Sequence, residues 1–156
     1  MHLNQQKSID LLSQQQIFFE ILEHSKKVYT CTETALERQV PLTHVVKTLL
    51  CYDKKKQLHV FMLPGSENLN PKKARKVIGS NKLHFVPKAT VENDFKLIIG
   101  AISPLLLLEK NGHFFIDKKL VEQSYLTISS GVPGSGIKLN TIDLLQIIPA
   151  SVADIT

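Results

Sequence analysis

The stretch Val45-Val46-Lys47-Thr48-Leu49-Leu50-Cys51 decides how the rest of the chain is read. It is β-branched and aliphatic and too short for an ordinary helix, so it reads as a mostly buried strand. Side chains alternate along a strand, which puts Val45, Lys47, Leu49 and Cys51 on one face. An ammonium group on such a face must reach an edge, find a counter-ion or face a cavity. Lys47 is therefore either an edge-strand lysine reaching water or a group held for a ligand, and the strand alone does not separate the two. Lys54 to Lys56, just downstream, are ordinary solvated charges in a turn.

Outward from this strand, Asp53 to Gln57 form a polar turn and Leu58 to Leu63 a second strand, which makes a hairpin. Upstream, Thr30-Cys31-Thr32-Glu33 is a capping box that opens a short helix through Ala35 and Leu36 toward Arg38. Before it, Ser13 with Gln16 makes another capping box, and Ile17, Phe18, Ile21 and Leu22 recur at helical spacing. Residues 1–23 thus read as an N-terminal helical extension packed on a domain of residues 24–156. Downstream, Asn70-Pro71 and Gly79 bracket a helix carrying Lys72, Lys73, Arg75 and Lys76.

Leu83 to Val86 is a third strand, and Thr90 to Phe95 a short turn or helix. Ile98 to Ser103 and Leu105 to Leu108 read as strand flanking a break, followed by a hairpin signal at Asn111-Gly112 and strand at Phe114 to Ile116. Tyr125 to Ser129 and Ile137 to Leu139 are further strands around a glycine-rich loop, and Asn140 or Thr141 caps a final helix, Ile142 to Ile148. The fold class expected is α+β: a mixed, strongly curved, barrel-like sheet of about seven strands with surrounding helices.

Composition narrows the function classes. At 156 residues, 43% hydrophobic and 21% charged, the chain has the make-up of one globular domain. No apolar run approaches the roughly 20 residues of a membrane helix, and no secretory signal is visible, so a cytoplasmic protein without membrane contact is expected. Cys31 and Cys51 have neither C-x-x-C nor histidine spacing, which argues against a disulfide framework and a zinc site. The net charge of +5 favours an anionic partner. With only Arg38 and Arg75 as arginines, base-specific reading of DNA is not expected, whereas lysine contacts to phosphate remain open.

No G-x-S-x-G elbow, phosphate-binding loop or H-E-x-x-H is present, and the six histidines are scattered. The unconventional piece is Gly100-Ala101-Ile102-Ser103-Pro104. Proline cannot donate to a ladder and glycine permits close backbone approach, so this segment should leave the sheet as a rigid bend. It is either a plain corner or a place where free backbone N–H groups meet a carbonyl or oxyanion.

In this order the pieces resemble the YbaK family of aminoacyl-tRNA deacylases, which includes the editing domain inserted in bacterial prolyl-tRNA synthetase. The matching stretches are Val28 to Ala35, Val46 to Leu50, Leu63-Pro64-Gly65 with Asn70 and Lys73, Gly100 to Pro104, Ile116-Asp117, and Ser130-Gly131 with Asp143-Leu144. The resemblance implies hydrolysis, in trans, of the ester joining a wrong amino acid such as cysteine or alanine to the 3′ end of a tRNA, most naturally proline tRNA. It implies the tRNA acceptor end as partner, prolyl-tRNA synthetase as a further one, and no metal or cofactor. It makes Lys47 and Gly100 the catalytic positions, with Lys47 holding the terminal adenosine and its phosphate. Thr48, Ala101, Ile102, Ser103, Pro104 and Gly131 become substrate-binding positions.

One departure stands out. Many relatives carry a G-x-R-G-x-D pattern where this chain reads Gly131-Val132-Pro133-Gly134-Ser135-Gly136, so the basic and acidic positions fall on Pro133 and Gly136. That departure motivates the alternative of a non-catalytic module that keeps the fold and binds tRNA or a protein partner. A hydrolase for another small acyl or nucleotide substrate is a third reading.

Overall fold

The computed structural model describes residues 1–156. The deciding stretch forms β2 (Val46–Asp53) and pairs antiparallel with β3 (Leu58–Pro64) across the expected turn. Strand alternation sorts their side chains between two cores. Val46, Leu50, Leu58, Val60 and Met62 enter the main core, whereas Cys51, Phe61 and Leu63 enter a smaller one. The smaller core is roofed by α3 (Pro71–Ile78) through Ala74, with Asn70 as N-cap and Gly79 as C-cap.

A five-stranded sheet has the order β4-β2-β3-β5-β8, adding β4 (Leu83–Phe85), β5 (His113–Asp117) and β8 (Ala150–Ala153). A second sheet of three antiparallel strands has the order β1-β7-β6, from β1 (Phe19–Glu23), β6 (Tyr125–Ser129) and β7 (Ser135–Asn140). Leu126, Ile128, Ile137 and Leu139 carry the second sheet into the main core opposite β2 and β3. Four further helices complete the chain: α1 (Leu3–Gln14), α2 (Cys31–Arg38), α4 (Lys118–Val121) and α5 (Thr141–Ile147). None is long and apolar enough to cross a membrane.

The architecture is α+β, but the single barrel-like sheet of about seven strands is corrected to eight strands in two sheets. Only an isolated bridge, Val45 to Thr127, links them. The segment expected to extend the sheet at residues 98–108 is not strand. Pro104 instead heads a 3-10 turn, Pro104–Lys110, whose buried leucines fill the main core. The Asn111-Gly112 hairpin fails for the same reason: Asn111, at φ 56°, ends that turn, and β5 joins β3 in parallel.

The helical extension over residues 1–23 is helical only in α1. Gln16 turns to φ 57°, and residues 19–23 run as β1 beside β7. The Ile17 to Leu22 pattern thus serves a strand, with Phe19 and Ile21 packed against the main core. The buried stripe of α1 is Asn4, Ser8 and Leu12, four residues apart and mostly polar. Asn4 Nδ2 donates to the Lys96 carbonyl at 3.1 Å and Ser8 Oγ to Ser103 Oγ at 3.2 Å. A count of apolar side chains passes over such a helix.

Candidate functional site

β2 is covered unevenly on the edge away from β3. β4 pairs with it only at Cys51–Asp53 and Val86 N–H donates to the Leu50 carbonyl at 2.9 Å. Backbone groups alternate edges as side chains alternate faces, so the N–H and carbonyl of Thr48 point to this same edge, where no strand follows. A cavity of about 560 Å³ lies along the open stretch. Because it meets the strand edge-on, both faces contribute, from Val45 through Leu50.

Four other pieces close it: Tyr29 to Thr32 and Thr34 with Arg38 of α2, Phe85 of β4 with Val86, Lys88 and Val91 after it, the bend at Ile99, Gly100 and Ile102, and Ser129 of β6. The capping box predicted at Thr30 sets the first wall, with Thr30 Oγ1 accepting from Glu33 N–H at 3.2 Å. Tyr29 and Phe85 are exposed beside it.

Lys47 lines this cavity from the face it shares with Leu49 and Cys51. Its ammonium donates to the Glu67 main-chain carbonyl at 2.6 Å and to Asn68 Oδ1 at 3.4 Å. The Glu67 carboxylate is held instead by Lys119 at 2.7 Å. Lys47 thus has no carboxylate partner, and its charge is oriented without being neutralised. Thr48, on the opposite face, has its Oγ1 buried with no hydrogen-bond partner.

The Gly100 to Pro104 segment is a bend, as its composition predicts. Gly100 stands at φ 84° against Tyr29, a conformation that disfavours any residue with a Cβ. Ala101 N–H closes a turn onto the Ile98 carbonyl at 2.9 Å, which leaves the N–H groups of Gly100 and Ile102 with no acceptor in the protein. Gly100 and Ile102 line the cavity with Lys47 and Thr48. Ala101, Ser103 and Pro104 are buried behind them, outside the lining. Gly131 is elsewhere, packed on Asn4 and Leu106 of the main core.

The residue that sequence reasoning left unremarked is Arg38, only 9% exposed yet part of the cavity wall. Its Nε donates to His24 Nε2 at 3.2 Å and its Nη1 to Thr127 Oγ1 at 2.9 Å. His24 Nδ1 meets the Pro133 carbonyl at 2.9 Å, which makes Nδ1 the protonated nitrogen and leaves Nε2 as the acceptor. No local signal marks it: a cation at a helix C-terminus is ordinary, and the glycine that admits it, Gly136, lies far along the chain.

Burial pulls the Arg38 guanidinium down to about 10, so it remains a cation at neutral pH. Burial raises the Cys31 thiol although Lys47 and Arg38 both oppose that rise, so Cys31 is a thiol and not a thiolate nucleophile. Burial likewise pushes Cys51 up to about 12. The lining holds no carboxylate and no histidine; its polar side chains are hydroxyls, one thiol and three cations, Arg38, Lys47 and Lys88.

A family model described as an aminoacyl-tRNA editing domain matches residues 25–147. The prolyl-tRNA editing protein ProX of Acetoanaerobium sticklandii is 27% identical over 150 residues, covering 94% of this chain and 91% of the relative. A crystal structure described as a candidate trans-editing enzyme for prolyl-tRNA synthetase superposes with a TM-score of 0.88 at 19% identity, covering 100% of this chain and 98% of the other. A scaffold protein used for computational epitope grafting matches at a TM-score of 0.87 and 20% identity, over 100% of this chain and 98% of its own. At such identities the structural likeness carries the fold. The residues that build the cavity, Tyr29 to Ser129, fall inside the span of the family match.

Proposed function

Because the chain belongs to the aminoacyl-tRNA editing family, we propose that it is a deacylase that hydrolyses the ester of mischarged tRNA in trans. The observation that carries this is the pairing, across one cavity, of an unneutralised Lys47 with two free backbone N–H groups at Gly100 and Ile102. Lys47 holds the phosphate and ribose of the terminal nucleotide. The free N–H groups receive the scissile carbonyl oxygen and the negative charge that develops on it. Water adds to the carbonyl carbon, the bond to the ribose oxygen breaks, and that oxygen takes the proton. The products are a free amino acid and an uncharged tRNA.

With no carboxylate or histidine in the lining, proton movement falls to the attacking water and the ribose hydroxyls. Thr48 Oγ1, buried and unpartnered, supports a place for it among the groups that orient the substrate. Ala101, Ser103 and Pro104 hold the bend in shape from behind, and Gly131 keeps α1 against the domain.

The name of the curated relative supports proline tRNA as the carrier, and that of the trans-editing structure supports prolyl-tRNA synthetase as the enzyme whose errors are removed; cysteine or alanine as the wrong amino acid rests on the family resemblance alone. The test is a panel of mischarged tRNAs incubated with purified protein. Release of amino acid at a rate above the spontaneous one is expected for at least one member, with proline tRNA in the leading group. Salt-sensitive tRNA binding with no release from any member would replace this reading by the non-catalytic tRNA-binding module.

A further inference from the structure

We propose that Arg38 forms an anion subsite at the inner end of the cavity, and that the acyl group selected there carries a side-chain carboxylate. The proposal rests on the deacylase reading and replaces cysteine or alanine, which carry no side-chain carboxylate, with an acidic substrate class.

The guanidinium is built in, not draped over the surface. It crosses β7 at Gly136, where even a Cβ would overlap its Nε, Cζ and Nη2 atoms, so this passage exists only because position 136 is glycine. Two neutral acceptors, His24 Nε2 and Thr127 Oγ1, fix its plane. Of the five N–H donors of a guanidinium they use two, and Nη2 has no partner in the protein. No carboxylate lies within ion-pairing distance of Arg38. A cation this buried and lacking a counter-ion is expensive to keep unless an anion arrives to complete it.

The anion is identified by reach. Lys47 and Arg38 both act on the Cys31 thiol, so the two cations flank one cavity. Lys47 is half-buried and tied to the loop at Glu67 and Asn68. Arg38 is 9% exposed. An acylated tRNA carries phosphates, but each is followed by more strand and must stay where the strand can leave. The one group able to enter with nothing trailing it is the acyl group. Its α-amino group is repelled by a guanidinium, which leaves the side chain. A planar fork of free N–H donors matches a carboxylate.

Arg38 and Arg75 are the only arginines, so the arginine Nε–H spectrum of the ¹⁵N-labelled protein contains two resonances and Arg75, on α3, is an internal control. The probes are 3′-aspartylamido-3′-deoxyadenosine and its asparaginyl counterpart, each with and without a 5′-phosphate; their amide link resists turnover. The expected result is a shift of the Arg38 resonance by the aspartyl compound and affinity about tenfold or more above the asparaginyl one, with or without the 5′-phosphate. Arg38→Met should bring the aspartyl compound down to the asparaginyl level, and Arg38→Lys, which keeps the charge and loses the fork, should restore part of the difference. Equal affinity of the two compounds for the wild-type protein overturns the proposal. A shift of Arg38 that follows the 5′-phosphate also overturns it, by assigning the subsite to the nucleotide. Failure of the deacylase reading is separate: it shows as absence of release from the mischarged-tRNA panel, which these binding measurements do not require.

Discussion

The two ends of β2 share a strand, a partner and an apolar composition, yet they do different work. At Cys51 and Tyr52 the strand is paired on both edges, with β3 on one side and β4 on the other. At Val46–Leu49 the β4 side is open, and there the cavity forms. The covered end places Cys51 in the small core, beside Phe61 and Leu63 of β3. The open end places Lys47 and both the side chain and the backbone of Thr48 at the cavity. A ladder that stops part-way leaves polar backbone groups that a substrate can use without the fold being rebuilt.

That contrast breaks first if the covered side is not the stabilising one. Phe61 is fully buried and stacks on Phe115 with ring centroids 5.4 Å apart. Phe61→Ala should lower unfolding free energy by about 3–5 kcal/mol, measured by denaturant titration. A loss below about 1 kcal/mol would mean that the small core adds little to stability.

The open side should respond in the opposite sense. Lys47→Ala should reduce kcat/KM for deacylation by about 100-fold, or about 2.7 kcal/mol of transition-state binding, in single-turnover assays on mischarged tRNA. Its unfolding midpoint should move little, because the ammonium contacts only a loop carbonyl and Asn68. Unchanged turnover would remove Lys47 from the substrate site.

Gly100→Ala probes the wall opposite. At φ 84° and with Tyr29 atoms 3.4 Å from the added Cβ, the substitution should cost about 1–2 kcal/mol in stability. Activity should fall with it, as the free N–H groups of the bend shift. A variant as stable as the parent would show that the bend relaxes freely and positions nothing.

Sequence reading served the covered end better than the open one. The β2–β3 hairpin, the Thr30 capping box and the Asn70-Pro71 to Gly79 helix were readable because caps, turns and apolar alternation are local signals. β1 reads as helix in the sequence because Ile17, Phe18, Ile21 and Leu22 fit a helical period as well as a buried strand, and only pairing with β7 decides between them. β8 carries no strand signal because Ala150 to Ala153 is short and only partly buried. The leucines after Pro104 are apolar on every side, so periodicity says nothing about their backbone. In the site, Lys47 stood out as a charge in an apolar strand. Arg38 did not, since a cation at a helix C-terminus is the ordinary pattern, and its burial depends on a glycine almost a hundred residues away.

The smallest effect sharpens the comparison from the covered end. Asp53, the last residue of β2, accepts from His59 Nε2 at 3.0 Å and from the N–H groups of Lys55 and Gln57 at 2.8 and 3.0 Å. The His59 bond first, and the two N–H groups after it, pull its carboxyl down from 3.8 to about 2. A carboxyl whose folded pKa lies below its unfolded one contributes stability that is fully present above the unfolded value. That contribution is lost as pH falls through the folded value. Wild-type stability should therefore decline between about pH 4 and pH 2, and Asp53→Asn should flatten this part of the profile in denaturant titrations. Ligand affinity at the open end should not follow Asp53→Asn at neutral pH, because neither Asp53 nor His59 lines the cavity. If both ends of β2 responded together, the strand would be acting as one coupled unit and the division drawn from its unequal pairing would fail.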